Sequence, residues 1–234
     1  MRIRSFIVAY VLVLAILLFA DRRPGATHPD RYSHVIDLTS GQSATDAHAT
    51  VSESTTRIIA PAALIPGTWA AGQIPPERLI APLVVIDLNS AAETSQQISL
   101  DDIASWESQH GMIPQGAVVA VRRANASSES GAENSARKAS RALPLARDAA
   151  QFLMEARYTI GFVVETPVDL SSDRTLARQL ALHGNYVVER SARFEALPAT
   201  GSLIIVAPAV APTVAPAKDK TRADAAVRIL AMVR

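Results

Sequence analysis

Residues 83–121 read LVVIDLNSAAETSQQISLDDIASWESQHGMIPQGAVVAV, and this stretch decides the fold. It opens on Leu83-Val84-Val85-Ile86-Asp87-Leu88, an almost unbroken apolar run of strand length. A run without polar alternation reads as a strand buried on both faces. Ser99-Leu100-Asp101-Asp102 then opens a helix. Ser99 suits the N-cap, and Asp101 and Asp102 place two acids at the positive end of the helix dipole. The helix runs through Ile103 and Trp106 and stops at Gly111, a residue type favoured just past a helix end. Residues 117–121, Ala-Val-Val-Ala-Val, form a second buried strand.

The same alternation continues on both sides. Upstream, residues 34–38 are a short apolar strand, residues 39–50 a polar loop, and residues 51–59 a β-branched run that leads into Ala60-Pro61. Proline there ends ladder pairing and stiffens a turn. Residues 60–76 hold four prolines and two glycines and read as irregular chain. Downstream, residues 145–157 are helical, with Ala149, Phe152 and Leu153 on one face, and residues 160–164 are a strand. Ser171 or Ser172 caps a helix that reaches Leu182 and is ended by His183-Gly184. Residues 186–188, 203–206 and 227–233 are further strands, whereas 124–141 and 207–219 read as loops. Trp69 and Trp106 are expected in the core or in a pocket wall. Strands alternating with helices predict an α/β fold, a mixed and largely buried β-sheet with flanking helices, in a single domain over residues 34–234.

The N-terminus is organised differently. Arg2 and Arg4 precede an uninterrupted apolar run from Phe6 to Ala20, closed by Asp21-Arg22-Arg23-Pro24. A basic start and an apolar core of this length predict an export signal over residues 1–20, with a periplasmic or secreted protein as the result. The alternative is that residues 6–20 stay attached as a membrane anchor. Residues 21–33 are polar, contain two prolines and read as a linker. The formal charge of the 234-residue chain is +1, which offers no concentrated basic surface for nucleic acid. Cysteine is absent, so disulfides and thiolate metal sites are excluded. Neither a phosphate-binding glycine loop nor a Gly-x-Ser-x-Gly elbow occurs.

One segment carries a family resemblance in detail. Glu53-Ser54-Thr55-Thr56-Arg57-Ile58-Ile59-Ala60-Pro61-Ala62-Ala63 is similar to a His-Thr-Gly-Thr-His-x-Asp-Ala-Pro-x-His motif. The order of segments around it agrees. It includes Val35-Ile36-Asp37-Leu38-Thr39, Pro66-Gly67-Thr68-Trp69, Gln73-Ile74-Pro75, the 83–121 stretch, Ala149-Ala150-Gln151-Phe152-Leu153 and Tyr186-Val187-Val188-Glu189. Together these resemble the metal-dependent cyclases, a family that includes the kynurenine formamidases. The resemblance implies a cyclase-like single domain. In that family, histidines and an aspartate of the motif, with a later His and Glu, hold a divalent metal whose bound water attacks a formamide or lactam carbonyl.

Carried across residue by residue, the resemblance places the first motif His on Glu53, the second on Arg57 and the Asp on Ile59. The assisting His falls on Ala63, and the later His on Ala177 with Arg178 beside it. Only Glu189 matches the family's glutamate. Arg has no lone pair for a metal, so no metal site and no cofactor are expected. Zinc or manganese would be needed if a rearranged site survived. Asp46 and His48, with Glu53 downstream, offer oxygen and nitrogen donors for such a site; the alternative is a solvated polar loop. Arg57 is expected to pair with Glu53 or Glu189, its charge replacing that of the metal. Glu53, Arg57 and Glu189 are thus candidate pocket residues. The function expected is a non-catalytic binding or assembly role with a small-molecule ligand, in a homo-oligomer or beside a paralogue. The alternative is a metal-dependent hydrolase of small-molecule amide or ester bonds. Membrane contact is expected only through an uncleaved N-terminus.

Overall fold

Leu83–Ile86 form the centre of a strand in which neighbouring residues enter two different cores. In the computed structural model, which describes residues 32–40, 55–88, 97–123, 142–209 and 224–234, this strand is β3 (Ile80–Leu88). Leu83 and Val85 point into one apolar cluster, and Val84, Ile86 and Leu88 into another. Side chains alternate across a strand, so a run that is apolar throughout needs cover on both faces. The other strands are β1 (His34–Asp37), β2 (Arg57–Ile59), β4 (Val118–Arg123), β5 (Gly161–Val164), β6 (Tyr186–Glu189), β7 (Ser202–Pro208) and β8 (Asp224–Val233).

The strands are ordered β1-β8-β2-β6-β5-β4-β3-β7, and β7 pairs back onto β8. The sheet therefore closes on itself into a barrel. β3, β4, β5 and β6 are mutually parallel, whereas β2 and β7 run antiparallel to their neighbours. β8 is shared three ways. Residues Asp224, Ala225 and Ala226 pair with β2, and residues from Leu230 to Val233 pair with β1. β7 takes the opposite edge. β1 and β2 thus lie end to end along one edge of β8. The inner cluster fills the barrel with Ile58, Val118, Ala120, Val163, Tyr186, Val188, Ile204 and Ile229 among others. Residues 32–234 make up one compact unit.

The outer cluster lies under three helices. These are α2 (Leu100–His110), α3 (Arg147–Ala156) and α4 (Arg174–Leu182); α1 (Pro61–Leu64) is a single turn that precedes them. α2 buries Ile103 and Trp106, α3 buries Ala149, Ala150, Leu153 and Met154, and α4 buries Leu176, Leu180 and Ala181. Each buried large aliphatic contributes about 1.5–3 kcal/mol by leaving water. α2 begins and ends as its sequence predicts. Ser99 accepts the Asp102 N–H, Asp102 accepts the Ser99 N–H at 2.8 Å, and Gly111 closes the helix at φ 86°. His110 serves that end through a 3.1 Å contact with the Trp106 carbonyl.

Four expectations are corrected. The 60–76 segment is more regular than its prolines suggest. It holds α1 and a 3-10 turn (Ala71–Gln73), and a second 3-10 turn (Pro76–Arg78) follows; Pro61 and Pro76 at first helical positions start α1 and the second 3-10 turn instead of breaking them. α4 is capped by Asp173, not by Ser171 or Ser172. The Asp173 carboxylate accepts the Thr175 and Leu176 N–H groups at 3.1 and 3.0 Å, while the two serines lie in a preceding 3-10 turn (Leu170–Ser172). Ala207 and Pro208 belong to the end of β7, beyond its register with β3 and paired only with β8, where proline is tolerated. Trp106 is buried and donates to the Val85 carbonyl at 2.9 Å, but Trp69 is 38% exposed and stacks under Arg78. The 1–20 signal or anchor, most of the 21–33 linker and the 124–141 loop lie outside the described residues.

A glycine inside a strand is normally a weakness, yet Gly161 has a reason. It pairs in register with Tyr186 inside the barrel, and a Cβ there would meet the tyrosine ring at 2.5 Å. Tyr186 is held in place by donating to the Arg78 carbonyl at 2.9 Å, and burial pushes its phenol pKa up. The Gly161→Ala variant is expected to lose about 1–3 kcal/mol to overpacking, read as a lower denaturant midpoint at an unchanged slope. A neutral result would show that the ring moves freely.

Candidate functional site

The motif segment runs along the outer face of the barrel. Ile58 points inward, and Ile59 packs against the outer cluster. Alternation puts Arg57 on the same outer face as Ile59. Arg57 lies directly across from Glu189, its partner in the antiparallel β2–β6 register. Ala60 is buried, and Pro61 starts α1 with its fixed φ. α1 packs against α4, which brings Ala63 and Ala177 into the wall of one cavity. That cavity has a volume of about 570 Å³ and is lined by Ala63, Leu64, Ile65, Leu170, Ser171, Arg174, Ala177 and Arg178.

Thus the structure brings Ala63 and Ala177 to one cavity and sets Arg57 opposite Glu189 in the β2–β6 register, while Ile59 is packed in the layer between sheet and helices. Glu53, Asp46 and His48 lie outside the described residues. Glu189 is buried, and both its oxygens are engaged. Oε2 accepts the Val168 N–H at 2.8 Å, and Oε1 lies 3.5 Å from the Arg190 guanidinium. Sequence reasoning placed the positive partner of Glu189 at Arg57, which lies opposite it in the strand register; an ion pair to Glu189 comes from the neighbouring Arg190, held at φ 59°.

Thr56 was the residue that motif reading passed over. It is fully buried, and its hydroxyl accepts the Ser40 N–H at 2.7 Å and donates to the Arg190 carbonyl at 2.8 Å. Its own N–H donates to the Ser40 carbonyl at 3.3 Å. One side chain therefore ties the end of the β1 segment, the start of β2 and the turn after β6. Arg174 was also missed. Its spacing of four residues from Arg178 on a helix was the signal available, since residues four apart share a face.

These residues do not fit a divalent metal. Isoleucine and alanine have no donor atoms, and a guanidinium has no lone pair to give. Glu189 is the one carboxylate among the carried-over positions that the structure describes, and its oxygens already accept an N–H and face a cation. Among the described residues, no group of three or more His, Cys, Asp or Glu side chains could hold a metal. Nearby, Glu165 is half-buried; burial raises its carboxyl pKa, opposed by the Arg123 backbone N–H that it accepts at 3.3 Å.

A family model described as "Putative cyclase" matches residues 20–168, well over half of the chain. The chain belongs to the cyclase family. Solved structures share its fold. Isatin hydrolase A from Labrenzia aggregata, bound to benzyl benzoate, superposes with a TM-score of 0.61 at 23% identity, over 86% of this chain and 93% of that one. Isatin hydrolase A from Ralstonia solanacearum gives a TM-score of 0.61 at 20% identity, over 86% and 92%. A potential metal-dependent hydrolase with cyclase activity gives 0.55 at 18% identity, over 86% and 98%. No curated protein sequence matches the chain.

Two outcomes follow from this geometry. Thr56→Val keeps the shape but strands the Ser40 N–H and removes one of the two hydroxyl donors to the Arg190 carbonyl, the other being Ser40, so it is expected to cost about 1–3 kcal/mol. The thermal midpoint should fall by several degrees, and Thr56→Ser should recover most of the loss. Separately, Arg57→His, Ile59→Asp, Ala63→His and Ala177→His introduced together should create a site that retains about one zinc per chain. The grafted chain should also melt higher in zinc, because a ligand that binds only the folded state stabilises it. A graft that folds and stays metal-free would show that the four positions do not face a common point.

Proposed function

We propose that this protein is an exported, non-catalytic member of the cyclase family that binds a small molecule in the cavity between α1 and α4. The observation that carries this reading is that Ala63 and Ala177 line this cavity and, like Arg57 and Ile59 on the outer face of β2, offer no metal-ligating atom. Hydrolysis by a metal-bound hydroxide needs about three nitrogen or oxygen donors on a Lewis acid to bring the water's pKa near neutrality. Of the carried-over positions among the described residues, one supplies a carboxylate, and it is already compensated. The volume is in the range of small-molecule pockets. Ligands named for the structural relatives, benzyl benzoate and the product analogue thioisatinate in isatin hydrolases, are of a size that suits it. The apolar run from Phe6 to Ala20 supports export.

The deciding experiment is metal content. The full-length chain is incubated with zinc and manganese, passed through gel filtration and analysed by mass spectrometry, with formyl-amide hydrolysis assayed in parallel. The expected result is far less than one metal per chain and no turnover. Stoichiometric metal with chelator-sensitive turnover would overturn the reading in favour of a rearranged hydrolase site using Glu53, Asp46 and His48.

A further inference from the structure

The charges around this cavity narrow the ligand class, on the footing of the binding role just proposed. Arg174 and Arg178 stand one turn apart on α4 and line the cavity together with Ala177. Like charges at this spacing repel each other. Arg174 is also the first residue of its helix, where the dipole disfavours a cation, and the first turn of α4 carries no acid to offset it. The adjacent Asp173 is already used: one oxygen caps the helix and the other takes Arg147 at 2.8 Å. Among the described residues the ion pairs involve Arg122, Arg147, Arg157, Arg190 and Arg228, not Arg174 or Arg178. Both guanidiniums are exposed, so solvation makes the arrangement tolerable, but nothing in the fold calls for it. Below them the wall is apolar, formed by Leu64, Ile65 and Leu170.

We infer that the cavity binds a small organic carboxylate, its carboxylate between Arg174 and Arg178 and its apolar body against Leu64, Ile65 and Leu170. A guanidinium fork matches the two oxygens of a carboxylate and is lightly hydrated, so two forks gain most from such an anion. Ala63 and Ala177 leave the room for the apolar body.

The test uses the metal-free full-length chain with benzoate and hexanoate as probes, and benzyl alcohol and hexanol as their neutral counterparts, titrated by ligand-observed NMR. At least one acid is expected to bind about tenfold or more tightly than its alcohol, as charge-assisted pairing requires, and to weaken as salt is raised. Arg174→Gln with Arg178→Gln should bring that acid to the level of its alcohol without moving the thermal midpoint, both side chains being exposed. Arg174→Lys with Arg178→Lys should fall between, since it keeps charge and loses the fork. Ala177→Phe should exclude acids and alcohols alike by filling the cavity. Equal binding of acid and alcohol, or acid binding untouched by the glutamine pair, overturns the carboxylate assignment; if Ala177→Phe still abolishes binding, the cavity remains the binding site. No binding by any of the four probes overturns the assignment too. Stoichiometric metal in the preceding experiment would instead defeat the underlying binding role.

Discussion

The Thr56 hydroxyl is the interaction on which the geometry of this protein turns. β8 can close the barrel only if one of its edges is occupied along its length, and no single strand does this. β1 covers the C-terminal part and β2 the N-terminal part. The seam between the two half-strands falls at Ser40 and Thr56. There the Thr56 side chain and backbone hold Ser40 on one side and the Arg190 carbonyl on the other. Buried backbone groups must find partners, and at this break in the ladder a threonine supplies them. The register it sets fixes which residues of β2 face outward, and so decides that Arg57 and Ile59 look toward the helices.

This separates two kinds of residue within one motif. Thr56, Ala60 and Pro61 build the seam, the buried turn and the first turn of α1, and all three match the family pattern. Glu53, Arg57, Ile59 and Ala63 stand where the family resemblance places metal ligands and the assisting histidine. The first set makes hydrogen bonds and packing contacts that need no metal, so its demands persist when the second set changes. A metal site would contribute folding energy through its ligands. Here Ile59 contributes by apolar burial in the outer layer instead. The framework residues and the positions of the family's ligands are thus physically separable within one motif.

How much of this was legible in the sequence follows from the same division. The apolar runs of β3, β4 and β5, the Ser99–Asp102 capping pair and Gly111 are local signals, and they appear in the structure as read. The Asp173 cap was passed over because Ser171 and Ser172 are equally good caps by type; the ranking was decided by Asp169, which draws Ser171 into a separate 3-10 turn at 2.9 Å. The closing of the sheet could not be read, because the β7–β8 pairing joins strands whose order in space no local pattern encodes. The pairing of Ala63 with Ala177 across the cavity wall was reached only through family resemblance. Alanine carries no chemical signal of its own. The Arg174–Arg178 spacing was visible, but its meaning depended on knowing that Asp173 was already committed elsewhere.

Glu189 is the remaining puzzle that the geometry resolves. A buried carboxylate facing only apolar side chains would be a heavy cost, since an uncompensated buried charge destabilises by several kcal/mol. Its retention therefore requires other partners, and the structure supplies them: the Val168 N–H on one oxygen and the Arg190 guanidinium near the other. The Val168 contact has a further consequence. Val168 leads directly into the Leu170–Ser172 turn and from there into Arg174 and α4, which form one wall of the cavity. Glu189 tethers that wall to the end of β6, just as Thr56 tethers the opposite segment to the turn that follows it. Both anchor points converge on Arg190: Glu189 meets its side chain and Thr56 its carbonyl. The cavity is therefore bordered by two segments fixed to a single residue of the barrel through the chain's own hydrogen bonds and ion pair.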